Sequence, residues 1–204
     1  MKLIWAGTSP YARKVMVVAH ECGLADRIET VDGAGTPTGP NATTVAHNPL
    51  GKLPCLVLDD GPAIFDSRVI CQHLIGMAPD AGLLPEDNAA RSRTLTLEAL
   101  ADGICDAAIL IRYETVLRPE EKRWDDWLDA QWGKVDRALD VAEERWAAQL
   151  SGRFDLGHAA LGCALGYLDL RYGDRDWRGT HPALASWYEG FAARASAQAT
   201  APAA

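Results

Sequence analysis

Two hydroxyl residues, Thr8 and Ser9, stand where a short apolar segment gives way to a predicted helix. Apolar residues 3–6 predict a strand, and the periodicity that follows predicts a helix over 12–22. A helix N-terminus presents unpaired N–H groups and the positive end of the macrodipole, so it stabilises a thiolate. This turn contains no cysteine. We therefore expect that any sulfur stabilised by the helix N-terminus belongs to a bound ligand. The simpler alternative is that Ser9 only caps the helix ahead of Pro10.

A second candidate segment, residues 48–56, reads Asn-Pro-Leu-Gly-Lys-Leu-Pro-Cys-Leu. Proline cannot donate to a strand ladder, and a cis Leu53–Pro54 bond would turn the Leu53 backbone toward the Ser9 turn. An extended peptide could then pair with Leu53 as an added strand, whereas the alternative is an ordinary turn into a strand. Lys52 is placed to pair with a carboxylate, although a solvated surface lysine is the simpler interpretation.

A third segment, residues 65–68, reads Phe-Asp-Ser-Arg. Ser67 is predicted to cap a helix over 67–75. The same free amides and hydroxyl can hold a ligand carboxylate, while Asp66 takes an ammonium group. Together the three segments require an extended anionic peptide with a thiol and an α-amino-acid end, and glutathione fits that description.

The elements that must position these residues form two predicted domains. Strand and helix signals alternate over residues 1–78 and indicate an α/β domain with strands at 3–6, 28–31, 55–58 and 63–65. A Gly- and Pro-rich stretch at 32–48 is predicted to be irregular and to border the site. Residues 86–204 are predicted to be an all-α domain with helices over 89–117, 120–150, 156–170 and 182–195, and with a frayed tail from Ser196.

Composition excludes several classes of function. The chain has 204 residues, 48% of them hydrophobic, and a formal net charge of -8 without any basic run, so no nucleic-acid partner is expected. No apolar segment approaches the ~18 residues of a membrane span, and the N-terminus does not resemble a signal peptide, so we expect a soluble, cytoplasmic protein. Five irregularly spaced cysteines predict buried inert thiols without a disulfide framework or a metal site.

These motifs resemble the glutathione S-transferase family over nearly the whole chain. The matching segments are residues 8–15, 48–54, 65–70, 99–104 and 164–168. Within the family the chain is most similar to a bacterial YibF-like subgroup with a Thr-Ser-Pro active-site turn. Thioredoxin-type redox proteins carry Cys-Pro-Tyr-Cys where this chain has Ser-Pro-Tyr-Ala.

The resemblance implies a thioredoxin-like N-terminal domain, a C-terminal helical bundle and a homodimer. It implies that Ser9 hydrogen-bonds the glutathione sulfur, with Thr8 as the alternative hydroxyl. It further implies that glutathione is held by Lys52 at the glycine carboxylate, by the Leu53 backbone beside a cis Pro54, and by Asp66 and Ser67 at the γ-glutamyl end. Family members often begin the core helix with Ser/Thr-x-x-Asp, whereas this chain has Asp155 as the cap and His158 at the third helical position.

The expected activity is a detoxifying transferase that directs the glutathione thiolate at a small electrophile or a peroxide. The electrophile is expected in an apolar cleft between the domains, lined by side chains that are also explained as plain core: Ala101, Ile104, Cys105, Tyr113 and Trp5. A rival hypothesis is a glutathione-binding or protein-interaction module without turnover. A third hypothesis is a disulfide-exchanging glutaredoxin. It is less favoured because neither Ser9 nor Ala12 can form a mixed disulfide.

Overall fold

A computed structural model describes residues 1–202 and divides the chain into two compact units. The first unit contains a four-stranded mixed sheet in the order β2-β1-β3-β4. Its strands are β1 (Lys2–Trp5), β2 (Glu29–Asp32), β3 (Cys55–Val57) and β4 (Ala63–Ile64). β1 runs parallel to β2 and antiparallel to β3, and β3 runs antiparallel to β4. Each predicted strand lies within two residues of the observed one.

Three helices accompany this sheet: α1 (Pro10–Glu21), α2 (Ala42–His47) and α3 (Ser67–Met77). α1 packs against α3 and buries an apolar face that includes Val15 and Val18. The predictions missed α2, which lies inside the stretch interpreted as irregular. Its N-cap Asn41 accepts hydrogen bonds from the backbone N–H groups of Thr43 and Thr44, so local polar capping forms a helix that carries almost no apolar periodicity.

The second unit, Asp87–Ala192, is helical. Its helices are α4 (Asn88–Val116), α5 (Asp125–Arg145), α6 (Ala147–Leu150), α7 (Leu156–Tyr172), α8 (Trp177–Thr180) and α9 (Pro182–Ala192). α4 packs against both α5 and α7, and residues 156–168 of α7 are all buried. The prediction of one helix over 120–150 was wrong. Residues 120–122 form a separate 3-10 turn, Trp124 is extended, and Trp146 interrupts the helix after Arg145.

α7 begins with a buried polar cluster around Asp155. Its carboxylate accepts hydrogen bonds from the backbone N–H of His158 at 3.1 Å, the hydroxyl of Thr94 at 2.7 Å and the amide of Gln149 at 2.6 Å. The ring Nδ1 of His158 lies 2.6 Å from Asp155 Oδ1 and 3.3 Å from the Asp155 backbone nitrogen. One nitrogen cannot accept from the backbone N–H and donate to the carboxylate at once, and the shorter contact indicates donation to the carboxylate.

The described chain after Ala192 returns to the first unit, whereas the sequence analysis placed it in the helical domain with a frayed end. Residues Ala195–Ala199 form α10, which packs against α1. Glu21 on α1 accepts two hydrogen bonds from Arg194, at 3.0 and 2.8 Å, and Arg13 donates to the Ala197 carbonyl at 3.2 Å. These partners are more than 170 positions apart in sequence, so no local pattern predicts them.

Candidate functional site

The topology of the first unit places all three predicted segments at one edge of its sheet. Ile4 pairs with Cys55 and Leu56 pairs with Ile64, so the end of β1, the start of β3 and the end of β4 lie side by side. Ser9 follows the first of these, Leu53 and Pro54 precede the second, and residues 66–67 follow the third. Segments separated by up to 58 positions therefore converge.

Ser9 is the N-cap of α1. Its backbone is extended, and its Oγ accepts a hydrogen bond from the Ala12 backbone N–H at 3.3 Å. A hydroxyl that accepts through a lone pair keeps its own proton for a second hydrogen bond. The capping role and a donor role toward a ligand sulfur are therefore compatible.

Thr8 precedes the cap and is exposed. Within the part of the chain that the structure describes, its hydroxyl makes no hydrogen bond. The Ser9 backbone N–H donates to the Ala6 carbonyl at 2.9 Å, which closes the turn between β1 and α1. Ser9, rather than Thr8, is the hydroxyl fixed at the helix start.

The Leu53–Pro54 peptide bond is cis, as the sequence analysis expected. Among residues 1–202, no hydrogen bond reaches the N–H or the carbonyl of Leu53. Pro54 is buried and leads directly into β3. Leu53 thus offers one donor and one acceptor at the sheet edge, which is what an extended peptide needs for strand-like pairing.

The turn before Leu53 is organised by Asn48, whose role the sequence reasoning missed. Asn48 is 2% exposed, its Nδ2 donates to the Lys52 carbonyl at 2.8 Å, and its Oδ1 accepts from the Leu50 N–H at 3.0 Å. Lys52 itself is exposed and has no ion pair with a described residue. The sequence signal for this role was the Asn that directly precedes Pro-Leu-Gly. An Asn side chain can bond to the backbone of a turn with both its amide oxygen and its amide nitrogen.

The N-cap of α3 is Asp66, not Ser67 as predicted. Asp66 Oδ1 accepts a hydrogen bond from the Arg68 backbone N–H at 3.0 Å, and the helix begins at Ser67. Asp66 is exposed and Ser67 is 3% exposed. Neither the hydroxyl nor the backbone N–H of Ser67 has a hydrogen-bond partner elsewhere in residues 1–202. The first turn of α3 therefore retains two donors beside a carboxylate.

Gly33, at the end of β2, supports the same edge. A Cβ at Gly33 would lie 2.5 Å from the Ile4 side chain, 2.6 Å from Thr44 Oγ1 and 3.0 Å from the Leu53 side chain. Thr44 Oγ1 donates to the Gly33 carbonyl at 2.8 Å and so ties α2 to β2. Only glycine permits this approach without displacing Leu53.

The residues predicted to line the electrophile pocket are divided between the two units. Trp5 lies on β1 and is half-buried. Ala101, Ile104 and Cys105 lie on α4 and are buried, and Tyr113, on the same helix, is half-buried. Their role as electrophile contacts stays a prediction.

Two of the protein's own thiols, Cys22 and Cys55, are disfavoured as thiolates. Cys55, beside Pro54, is buried, and burial raises the pKa of its thiol. Burial and then the charge of Glu21 raise the pKa of Cys22 to about 11, although Cys22 is only half-buried. Cys55, the cysteine beside this sheet edge, is therefore disfavoured as a thiolate.

Comparison with known proteins identifies the class. Residues 8–75 match the model of the glutathione S-transferase N-terminal domain, and residues 125–190 match that of the C-terminal domain. The chain is 33% identical over 204 residues to the uncharacterized GST-like protein YibF of Escherichia coli (strain K12), covering 99% of this chain and 98% of that protein. The chain belongs to the glutathione S-transferase family. The predicted fold class, a thioredoxin-like domain with a helical C-terminal domain, is confirmed.

Solved structures agree with this assignment. A glutathione transferase family member from Pseudomonas fluorescens Pf-5, crystallised with bound glutathione, is 46% identical with a TM-score of 0.97, and the match covers 100% of this chain and 99% of that chain. A second structure from that organism holds S-(propanoic acid)-glutathione; it is 45% identical with a TM-score of 0.92 and complete coverage of both chains.

Two classes of feature are not found within residues 1–202. None of the helices there combines the length and apolar character needed to cross a membrane. His, Cys, Asp and Glu side chains in that part of the chain form no group of three or more that could hold a metal ion.

Proposed function

We propose that this protein is a glutathione transferase in which the Ser9 hydroxyl donates to the glutathione sulfur at the start of α1. The observation that carries the proposal is the N-cap geometry of Ser9, which uses an oxygen lone pair on Ala12 and leaves the hydroxyl proton for the ligand. Relatives of 46% and 40% identity were crystallised with glutathione bound, which supports glutathione as the co-substrate.

The remaining contacts follow the chemistry of the tripeptide. The Leu53 backbone pairs with the cysteinyl unit, as in an added strand. Ser67 donates its hydroxyl and backbone N–H to the γ-glutamyl carboxylate, and the exposed Asp66 carboxylate receives the ammonium group. Lys52 pairs with the glycine carboxylate. Each charged end of glutathione thus meets a group of opposite charge or a set of N–H and O–H donors.

The chemical role of the site is to increase the thiolate fraction. A free thiol with a pKa of about 8.5 is mostly protonated at pH 7, and each unit by which the pKa falls favours the anion by about 1.4 kcal/mol. The proton passes to solvent, and the sulfur anion forms a bond to the electrophilic carbon while the leaving group departs with the bonding electrons. The Ser9 hydroxyl and the α1 dipole stabilise the anion before this step.

Ser9→Ala tests the proposal. We expect it to raise the pKa of bound glutathione toward that of the free thiol and to leave glutathione affinity within a few-fold, as measured by ultraviolet titration of the thiolate and by calorimetry. Ser9→Thr restores both the cap and the donor, and Thr8→Val is the matched control that should change neither value. An unchanged thiol pKa in Ser9→Ala would assign the role to Thr8 or to backbone amides.

Turnover distinguishes the transferase from a glutathione-binding module with the same fold. Conjugation of electrophiles, reduction of peroxides and reduction of glutathionyl disulfides are measured alongside calorimetric binding. Binding with no turnover in any of the three assays would identify a module, and absence of glutathione binding would exclude both functions.

We further propose a homodimer formed through the first unit. Four large apolar side chains there are exposed: Leu50 by 67%, Val69 by 49%, Val45 by 44% and Met77 by 37%. Met77 lies two turns after Val69 on α3. A second copy would bury these side chains.

A cytoplasmic location agrees with the five free cysteines, because reduced thiols persist in reducing compartments.

A further inference from the structure

Arg13 lies one turn after Ser9 on α1 and takes part in the hydrogen bonds that begin this helix. The Arg13 backbone N–H donates to the Ser9 carbonyl at 2.9 Å, and the Ala12 N–H donates to Ser9 Oγ at 3.3 Å. The Ser9 N–H in turn donates to the carbonyl of Ala6, just after β1. A shift of the first turn of α1 therefore changes the orientation of the Ser9 hydroxyl.

The placement of the Arg13 side chain is costly in free energy. Arg13 is 6% exposed, and a guanidinium group keeps its charge when it is buried. The residue also lies near the positive end of the α1 dipole, where a cation is disfavoured. A buried cation at this position is kept only if its contacts offset both costs.

The C-terminal part of the chain supplies one such contact. Arg13 Nη2 donates to the Ala197 carbonyl at 3.2 Å, and this hydrogen bond is buried. Ala197 belongs to the short helix α10, in which the last four carbonyls lack a partner within the helix. Residues from Ala193 onward belong to the first unit, so the contact lies within one compact unit.

The same segment is fixed to the other end of α1. Glu21, the last residue of α1, accepts hydrogen bonds from Arg194 at 3.0 and 2.8 Å and from the Ser196 hydroxyl. Burial raises the pKa of Glu21, but the hydrogen bonds from Arg194 and Ser196 outweigh it, so the pKa is lowered and the carboxylate is ionised at neutral pH. We call residues 194–200 the α1 clamp.

The α1 clamp contacts α1 at two separated points. Arg13 and Glu21 lie just over two turns apart, about 12 Å along the helix axis. A segment bonded at two such points restricts both sliding and rotation of the helix. Because the Ser9 N–H is bonded to Ala6, the clamp and the sheet together fix the turn that carries the Ser9 hydroxyl.

We propose that Arg13 is a positioning residue for the Ser9 hydroxyl and that it acts through the α1 clamp. The inference rests on the proposed glutathione transferase function, in which Ser9 donates to the ligand sulfur. A donor that is already oriented stabilises a developing anion without the cost of reorganisation. Arg13 therefore supports the thiolate without a contact to glutathione.

Arg13→Met tests the positioning role, because Met keeps an unbranched apolar side chain and removes the donor to Ala197. We expect the acid dissociation constant of the bound glutathione thiol to fall about tenfold, as measured by ultraviolet titration of the thiolate. Glutathione affinity should stay within a few-fold by calorimetry. A residue that only stabilises the fold would lower the melting temperature and leave the thiol pKa unchanged, and that result would overturn the proposal.

Arg27→Met is the matched control. Arg27 is an exposed arginine of the same unit and lies outside α1, in the 3-10 turn Ala25–Arg27. The exchange removes the same positive charge from the surface of the unit. We expect the pKa of the bound thiol to stay at its wild-type value, and an equal rise in both variants would attribute the effect to net charge and overturn the positioning role.

Glu21→Gln tests the route through the α1 clamp and leaves Arg13 in place. Loss of a negative charge would by itself lower the thiol pKa, because it favours the anion. A loosened clamp has the opposite effect, so we expect the acid dissociation constant of the bound thiol to fall by a few-fold. An unchanged or lowered thiol pKa would overturn the route through the clamp, also where Arg13→Met does not fold.

The double variant Arg13→Met/Glu21→Gln tests whether the two residues act together. If both act on Ser9 through the α1 clamp, the double variant should have the thiol pKa of Arg13→Met alone, because the connection is already broken. Additive changes in the thiol pKa would show two independent effects and would overturn the shared route.

The outcomes separate this inference from the proposed function. A wild-type protein that does not bind glutathione overturns the transferase function and the positioning role with it. If Ser9→Ala raises the thiol pKa while Arg13→Met leaves it at the wild-type value, only the positioning role is overturned.

Discussion

A single hydroxyl can fill two roles at the start of α1 because oxygen accepts and donates hydrogen bonds through different positions. Ser9 accepts from the Ala12 backbone N–H, which fixes the orientation of the side chain. In the proposed complex it donates to the ligand sulfur. A cysteine at this position would cap the helix poorly, and it would compete with the ligand thiol for the same dipole.

Asn48 acts on the site at the residue scale without a predicted ligand contact. Asn48→Ala removes both the donor to the Lys52 carbonyl and the acceptor for the Leu50 N–H. We expect glutathione affinity to fall about tenfold because the Leu53 turn loosens, with the pKa of the bound thiol unchanged. Calorimetry measures the first and ultraviolet titration the second.

The matched variant Asn48→Asp keeps the acceptor for Leu50 but loses the donor to Lys52. Because Asn48 is 2% exposed, Asp would also bury a carboxylate against the Lys52 carbonyl, so glutathione affinity should fall at least as far as in Asn48→Ala. A change in thiol pKa in either variant would show that the turn acts on the sulfur itself rather than on the peptide backbone.

At the scale of elements, α7 is fixed by the polar cluster at its N-terminus. Burial opposes ionisation of Asp155, yet hydrogen bonds from His158 and Thr94 outweigh it, so the pKa of Asp155 is lowered. His158 takes the place of the acid that family members often carry at the third helical position. The helix start keeps a contact with this side chain, but the partner differs: His158 donates to the Asp155 carboxylate, whereas an acid at this position accepts from the N-cap backbone N–H.

The lowered pKa makes this cluster sensitive to acid. Since the folded-state pKa lies below the unfolded value of about 3.9, the stabilisation from the Asp155 carboxylate is present above that pH and is lost as the pH falls through the folded pKa. We expect Asp155→Asn to lower the free energy of unfolding by about 1–3 kcal/mol at pH 7. The difference from wild type should shrink as the pH falls below about 4.

Urea unfolding at pH 7 and at several acidic values measures this difference. Asp87→Asn at the N-cap of α4 is the control, since Asp87 is exposed and, among residues 1–202, its side chain accepts only from the Ala90 N–H. A wild-type to Asp155→Asn difference that stays constant down to pH 3 would contradict the ionised carboxylate as its source.

The chain has a formal net charge of -8, and four large apolar side chains of the first unit are exposed: Leu50, Val69, Val45 and Met77. Charge repulsion between copies favours monomers, so association needs enough apolar burial to exceed it. Leu50 is the most exposed of these four side chains, and its backbone N–H donates to Asn48 Oδ1. In the proposed complex and the proposed dimer, one turn therefore presents Leu53 to glutathione and Leu50 to a second copy.

Leu50→Glu is expected to convert the proposed dimer to a monomer. Sedimentation velocity should give a mass near twice 22.0 kDa for the wild type and near 22.0 kDa for the variant. Val116→Glu is the matched control, because Val116 is an apolar residue exposed by 59% on the helical unit. A wild-type monomer would contradict the homodimer, and dissociation by Val116→Glu alone would place the interface elsewhere.

The sequence alone predicted the strands and most of the longer helices, because each depends on patterns spanning a few residues; the role of the three segments in binding glutathione stays a prediction. Alternation marks strands, a hydroxyl before proline marks a helix start, and Leu-Pro before a strand marks a turn. Predictions from local pattern failed where two neighbouring residues suit the same position or where a helix breaks without a change in periodicity. Asp66 and Ser67 are both good caps, and Trp146 breaks a helix whose periodicity continues past it.

Only the tertiary structure decided what lies together. Strand pairing brings Ser9, Leu53 and Ser67 to one sheet edge, and the return of the chain joins Arg194 to Glu21. Hydrogen bonds and charges act over a few ångströms in space, and sequence distance does not encode that proximity.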